Sequence, residues 1–233
     1  MALILNIETS TAVCSAALTE GEEILFEQHS FDGPSHASLL GVYVERAIQW
    51  AKSQDRKLEA VAVSCGPGSY TGLRIGVSVA KGLCFGASIP LISVPTLSLL
   101  ASTAVRKMGG ATDYLYCAMI DARRMEVYAA LFDASLQQVR TAMADIVDAQ
   151  TYTNYLTAGK VCFFGDGAAK CQSVIADPNA CFLSDIYPLA AEMAPLSAQA
   201  FAEKRFEDVA YFEPFYLKEF QATIAKNKVL GAV

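Results

Sequence analysis

The chain lacks most of the equipment of a self-contained catalyst. Only two histidines, His29 and His36, occur in 233 residues, and they do not have the H-x-x-x-H spacing of a metal-binding helix face. Neither a G-x-S-x-G nucleophile elbow nor a glycine loop ending in Lys-Ser/Thr is present, which removes the common hydrolase and P-loop signatures. Basic residues are scarce: 18 Lys+Arg stand against 24 Asp+Glu, a net charge of −6. That balance argues against tight nucleic-acid binding by this chain alone, because neutralising phosphates takes a basic field. Apolar runs never reach the roughly 18 residues that read as a membrane span, and Met1–Leu5 is too short for a signal-peptide core. The seven cysteines form no Cys-x-x-Cys pair, so they read as buried, reduced thiols of a cytoplasmic protein.

What is abundant is apolar material. Hydrophobic residues make up 53% of the chain and charged residues 18%, which excludes a disordered protein and supplies a large core. Leu3–Glu8, Val13–Thr19 and Ile24–His29 read as three strands joined by short polar turns. Ser35 is an expected N-cap for a helix over about His36–Lys52. That helix carries two apolar stripes. Leu40, Val44, Ala47, Ile48 and Ala51 form one, and Leu39, Tyr43 and Trp50 the other. One stripe suffices to reach a core, so the second suggests deeper burial or a partner. Leu58–Cys65 reads as an inner strand, followed by the loop Gly66–Gly72 and a helix over about Leu73–Phe85. Ile89–Val94 then reads as a strand and Pro95–Lys107 as a helix.

After Met108-Gly109-Gly110 the opening pattern recurs: Tyr114–Ile120 ending at Asp121, a turn, Met125–Phe132, a turn, and Leu136–Thr141. Helices are expected near Met143–Leu156, Ala168–Ala176 and Ser197–Arg205, with a strand at Val161–Phe164. This internal duplication predicts a two-lobed α/β fold, with lobes at 1–108 and 109–217 and a mobile polar tail over 218–233.

Two places could carry chemistry. In the Gly66–Gly72 loop, Gly68, Ser69, Thr71 and Gly72 stand between a buried strand and a helix N-terminus. That arrangement suits either a bound anion or a sharp turn. Glu8-Thr9-Ser10 supplies a carboxylate and hydroxyls in the first strand turn, again readable as a phosphate site or as an ordinary turn. The equivalent turn after Asp121 holds Ala122-Arg123-Arg124, so a second phosphate loop is missing. Gly165-Asp166-Gly167 reads as a turn that could also approach a ligand. Gly72, Gly76, Ala80 and Cys84 form a small-residue stripe at i, i+4 spacing, able to admit another helix from this chain or from a partner.

Leu3–Ser10, the run Gly66–Gly76 with Ala80–Leu83, Ile120–Tyr128 and Pro214–Lys218 together resemble the signatures of the TsaB (YeaZ) family. The resemblance is strong over about residues 1–132 and thin beyond. It implies the duplicated actin-like ATPase fold and a role in forming N6-threonylcarbamoyladenosine at position 37 of tRNA. It also implies a TsaD-type catalytic subunit and a TsaE-type ATPase as partners, with self-pairing as a homodimer and tRNA reached only through the complex. The paralogous TsaD carries a metal-binding N-H-x-x-G-H segment whose two ligand positions fall here on Thr96 and Leu100. Leucine cannot ligate a metal, so the expectation is a non-catalytic subunit. No cofactor is firmly implied; ATP or ADP would bind weakly or at the partner boundary. The first two helices make the partner contact in such proteins. This designates Leu39, Tyr43, Glu45, Arg46 and Trp50 on the first helix, and Arg74, Gly76, Val77, Ala80 and Lys81 on the second. Substituting Ala80 by Glu is then expected to block pairing and leave the fold intact. The alternative is an independent nucleotide hydrolase or a glycoprotease-type peptidase of the same fold.

Overall fold

The computed structural model describes residues 1–33 and 36–218. Ser35 and the tail beyond Lys218 lie outside the described residues.

The first sheet is built from β1 (Leu3–Glu8), β2 (Cys14–Glu20), β3 (Glu23–Ser30), β4 (Ala60–Gly66) and β5 (Leu91–Pro95). The second is built from β6 (Tyr114–Asp121), β7 (Glu126–Phe132), β8 (Gln138–Ile146), β9 (Lys160–Phe164) and β10 (Ala180–Phe182). Their strand orders are β3-β2-β1-β4-β5 and β10-β9-β6-β7-β8, the same order read from opposite edges. In each, a three-strand antiparallel meander is extended by two parallel strands. The duplication seen in the sequence is thus a duplication of topology, and the protein has the two-lobed actin-like fold.

Helices α1 (His36–Ser53) and α2 (Tyr70–Ala87) cover one face of the first sheet. Leu40, Val44, Ala47 and Ala51 from α1 and Val77, Ala80 and Cys84 from α2 share one core with Leu5, Ile7, Val61 and Val63. The second stripe of α1 (Leu39, Tyr43 and Trp50) lies half-buried at the rim of this same core. Helix α3 (Thr96–Lys107) is wedged between the lobes. Its Leu99 faces the first sheet, while Leu97, Leu100, Ala101 and Ala104 pack with Tyr116, Ile120 and Phe164 of the second. Its small hydroxyl residues Ser102 and Thr103 are buried along with its leucines, as on a helix covered on more than one side.

Several expectations change. The helix over Met143–Leu156 does not form: β8 runs on to Ile146, and only the short α4 (Thr153–Ala158) is helical. Alternating exposed Val139, Thr141 and Met143 give β8 its period of two, and pairing with β7 outweighs the helix propensity of Met-Ala-Asp. Tyr152, expected inside a helix, is instead buried in the loop before α4, where its hydroxyl donates to Asp145 Oδ2 at 2.7 Å. Helix α5 is only Ala168–Cys171, and α6 is Ala194–Ala202.

The last change is in the path of the chain. α6 packs on β1 and β5 of the first sheet, Glu207 bridges to Leu91, and the Phe215 N–H donates to Cys65 O at 2.7 Å. Residues 190–218 therefore return to the first lobe, although by chain order they follow the second.

Candidate functional site

Between the lobes lies a cleft of about 760 Å³. Its walls include Ser10, Thr11, Ser69, Tyr70 and Thr71 from the first lobe and Asp121, Arg123, Glu126, Tyr128 and Asp166 from the second. Tyr216, Leu217 and Lys218 close one side, and Lys218 Nζ pairs with Glu126 across the mouth. Lys170 Nζ pairs with Asp121 and also donates to the Glu126 carbonyl at 2.6 Å, which ties α5 to the β6–β7 hairpin. Asp166 Oδ1 accepts from the Asp121 N–H at 2.9 Å, and burial raises the Asp166 carboxyl above its ordinary range.

The glycine loop and the first strand turn are brought together, but against each other. The Ser69 N–H donates to Ser10 O at 2.6 Å, and Thr9 Oγ1 donates to Gly72 O at 2.8 Å. A Cβ on Gly68 would collide with the Ser10 carbonyl, and one on Gly72 with the Thr9 carbonyl. These glycines admit a backbone, as their spacing indicated, and the backbone they admit is the chain's own. Ser69 is the N-cap of α2, its Oγ accepting from the Gly72 N–H at 3.3 Å, so the loop serves as a helix cap. Thr71 is exposed at the cleft wall. Gly165-Asp166-Gly167 repeats this geometry in the second lobe, with Gly165 at φ 96° clearing the Met119 carbonyl.

Glu8 lies beneath the turn, fully buried. Its Oε1 accepts from the Ser10 N–H at 2.5 Å, while its Oε2 has no hydrogen-bond partner among the described residues. Burial pushes the carboxyl up to about 7, against the lowering influence of the Ser10 side chain and N–H. Glu8 does not line the cleft, and the inner side of the glycine loop is packed against Thr9 and Ser10, while its outer side lines the cleft opposite Arg123.

Thr96 and Leu100, on the positions of the TsaD metal ligands, are both fully buried, and Leu100 is part of the core between α3 and the second sheet. Among the described residues, no group of three His, Cys, Asp or Glu side chains is placed to hold a metal ion. His36 is buried and bonded to Val13 O at 3.1 Å. His29 is exposed beside Glu27.

The proposed partner face is only partly available. On α1, Glu45 and Arg46 are exposed, and Leu39, Tyr43 and Trp50 are half-buried. On α2 the choice of residues is corrected. Gly76, Val77 and Ala80 point inward, Gly76 against Thr9 and Val63 and Ala80 at 0% exposure. The small-residue stripe is therefore occupied by the turn and strands below it, so a partner helix has no access.

Arg74 and Lys81 are also engaged within the chain. Arg74 stacks on the Tyr70 ring at 4.3 Å and donates to the Tyr216 hydroxyl at 3.3 Å. Lys81 Nζ donates to Ala210 O at 3.2 Å and Phe212 O at 2.9 Å. Outward on α2 stand Ser78, Gly82 and Phe85, among others, and Phe85 is 83% exposed. Phe85 was legible from the sequence: it stands one residue past Cys84, about 100° round the helix from the small-residue stripe. Among the described residues no helix is long and apolar enough to cross a membrane.

Comparison with known proteins fits this geometry. The family model for TsaD, tRNA N6-adenosine threonylcarbamoyltransferase, matches residues 32–226. The chain is 31% identical over 239 residues to the tRNA threonylcarbamoyladenosine biosynthesis protein TsaB of Escherichia coli, with 98% of each chain covered. It is 33% identical over 129 residues to the Bacillus subtilis protein of the same name, covering 55% of this chain and 54% of that one. The solved structure of YeaZ from Pseudomonas aeruginosa superposes with a TM-score of 0.75 at 25% identity, covering 93% of this chain and all of that one.

Proposed function

The chain belongs to the TsaB (YeaZ) family, and from that membership we propose that it is the non-catalytic subunit of a tRNA-modifying complex. Its role lies in tRNA threonylcarbamoyladenosine biosynthesis. In this reading the chain binds a TsaD-type threonylcarbamoyltransferase, a TsaE-type ATPase joins them, and tRNA is contacted through the complex. The work is cytoplasmic, where tRNA is modified.

The observation that carries the reading is the replacement of the two metal-ligand positions by Thr96 and Leu100, both inside the core. A buried leucine packed among Leu97, Tyr116 and Phe164 cannot be converted to a metal site by a change of rotamer. The partner surface is the outer face of α1 with Leu39, Tyr43, Glu45, Arg46 and Trp50, joined by Phe85 of α2. Half-buried Tyr and Trp among exposed charged residues have the composition of an interaction patch, and Phe85 adds an exposed aromatic on the neighbouring helix. The same patch serves a homodimer when the partner is absent.

Light scattering after size-exclusion chromatography, with the chain alone and then mixed with the TsaD-type protein of the same cell, tests the pairing. Exchange of a self-dimer for a hetero-complex is expected. A reconstituted transferase that modifies tRNA equally well without this chain would overturn the role.

A further inference from the structure

Two of the seven cysteines face each other. Parallel strands β9 and β10 pair with Cys162 opposite Cys181, at the edge of the second sheet. Both side chains belong to the same core cluster, so they lie on one face of the sheet and point the same way. Neighbouring strands run about 4.7–4.9 Å apart. Opposed residues in such a pair fall within the roughly 4.4–6.8 Å Cα separation that a disulfide spans. Cys162 is fully buried, while Cys181 is partly exposed. Burial, and then the neighbouring Cys181, hold the Cys162 thiol well above its ordinary range, so Cys162 stays protonated and is not the first of the two to be oxidised.

We propose that Cys162 and Cys181 are a reversible dithiol–disulfide pair, oxidised by hydrogen peroxide or an equivalent two-electron peroxide. The accessible Cys181 reacts first. Its thiolate attacks one peroxide oxygen, the O–O bond breaks, and Cys181 becomes a sulfenic acid as hydroxide leaves. The Cys162 sulfur then attacks the Cys181 sulfur. The S–S bond forms, the S–O bond breaks, the departing hydroxide takes up the Cys162 proton, and water leaves. Two thiols lose two electrons in total, and one peroxide is reduced to two waters once the first hydroxide is protonated. Cys162 is suited to the resolving role because its own burial keeps it from reacting with solvent oxidant.

The bond would staple β10 to β9. The Leu183 N–H donates to Phe163 O at 2.9 Å just beyond the pair, and from there the chain runs through Ile186 back to the first lobe. Oxidation therefore fixes the start of the segment that joins the lobes. This pair is remote from the α1–α2 partner face, so its success or failure is independent of the proposed complex.

The test uses the intact wild-type chain. It is exposed to hydrogen peroxide, blocked with an alkylating reagent and mapped by mass spectrometry without reduction. The expected result is a loss of about 2 Da and one cross-linked peptide pair containing Cys162 and Cys181, reversed by dithiothreitol. C181A should remove the cross-link and leave Cys162 unmodified in the folded protein. Retention of both free thiols, a cross-link between other cysteines, or a Cys181 that proceeds to sulfinic acid without capturing Cys162 would each overturn the proposal.

Discussion

Thr9 and Gly72 are locked to each other: the Thr9 hydroxyl donates to the Gly72 carbonyl at 2.8 Å, and the Thr9 carbonyl occupies the space a Cβ on Gly72 would need. This contact joins the two segments that, from sequence, looked most like a phosphate site. It explains why the signature glycines are present in a chain whose acid does not open to the cleft. They let α2 start directly against the first strand turn.

Substitutions at two glycines of α2 should therefore have opposite signs. Gly72→Ala forces the turn and helix apart and is expected to destabilise the protein by about 1–3 kcal/mol or more. Gly82→Ala meets nothing within 4 Å on the exposed face and is expected to stabilise by about 0.5–1 kcal/mol through helix propensity. Urea midpoints at constant m-value measure both. Equal effects would show that the glycines act through the unfolded chain alone.

Glu8 should give the protein a pH dependence opposite to that of most carboxylates. Its folded pKa is raised to about 7 from 4.5, so the folded state holds a proton that the unfolded state releases. Stability is fully present below the unfolded value, falls as pH rises from about 4.5 to 7, and is level above that. Glu8→Gln mimics the protonated acid. It should remove most of this slope and leave the variant more stable than wild type at pH 8, by on the order of 3 kcal/mol at most. Denaturation of both proteins across this range decides it; parallel pH profiles would mean that Glu8 is not the group responsible.

Lys81 and Arg74 should behave as clasps for the C-terminal strap. Lys81→Met removes two charge-assisted hydrogen bonds, to Ala210 and Phe212, each worth about 1.5–3 kcal/mol where a charge is involved. Hydrogen exchange over residues 207–216 should rise several-fold while β1 and β4 keep their protection. Tyr216→Leu should loosen the same segment by freeing Arg74. Unchanged exchange in both variants would place the strap's stability in β5 and Glu207 instead.

Phe85→Glu and Ala80→Glu should separate surface from core. Phe85 is exposed, so a charge there is expected to abolish self-pairing or partner pairing with little change in melting temperature. Ala80 is at 0% exposure, so a glutamate there buries an unpaired charge and should unfold the first lobe. Light scattering and thermal melts read both effects. A folded Ala80→Glu variant would contradict the inward assignment of this stripe.

Much of this protein was determined by local sequence alone. The short apolar run Leu3–Glu8 and its recurrence at Tyr114–Asp121, each followed by a polar turn, specify the doubled meander, because strand propensity and turn chemistry act within a few residues. The core face of α1 follows from the spacing of Leu40, Val44, Ala47 and Ala51. The leucine at position 100 excludes a ligand there whatever the fold.

Tertiary structure alone decided what fills the Gly72, Gly76 and Ala80 stripe. Small residues specify that something comes close, and the first strand turn, more than sixty residues upstream of Gly72, is what does. Only the fold decided that Arg74 and Lys81 hold residues 210–216, since both partners lie more than a hundred residues downstream. β8 is a strand rather than the helix its Met-Ala-Asp run suggests because β7 offers it a ladder of hydrogen bonds. In each case a group's nearest sequence neighbours leave its charge, hydroxyl or surface unsatisfied, and the partner that satisfies it arrives only when distant segments meet.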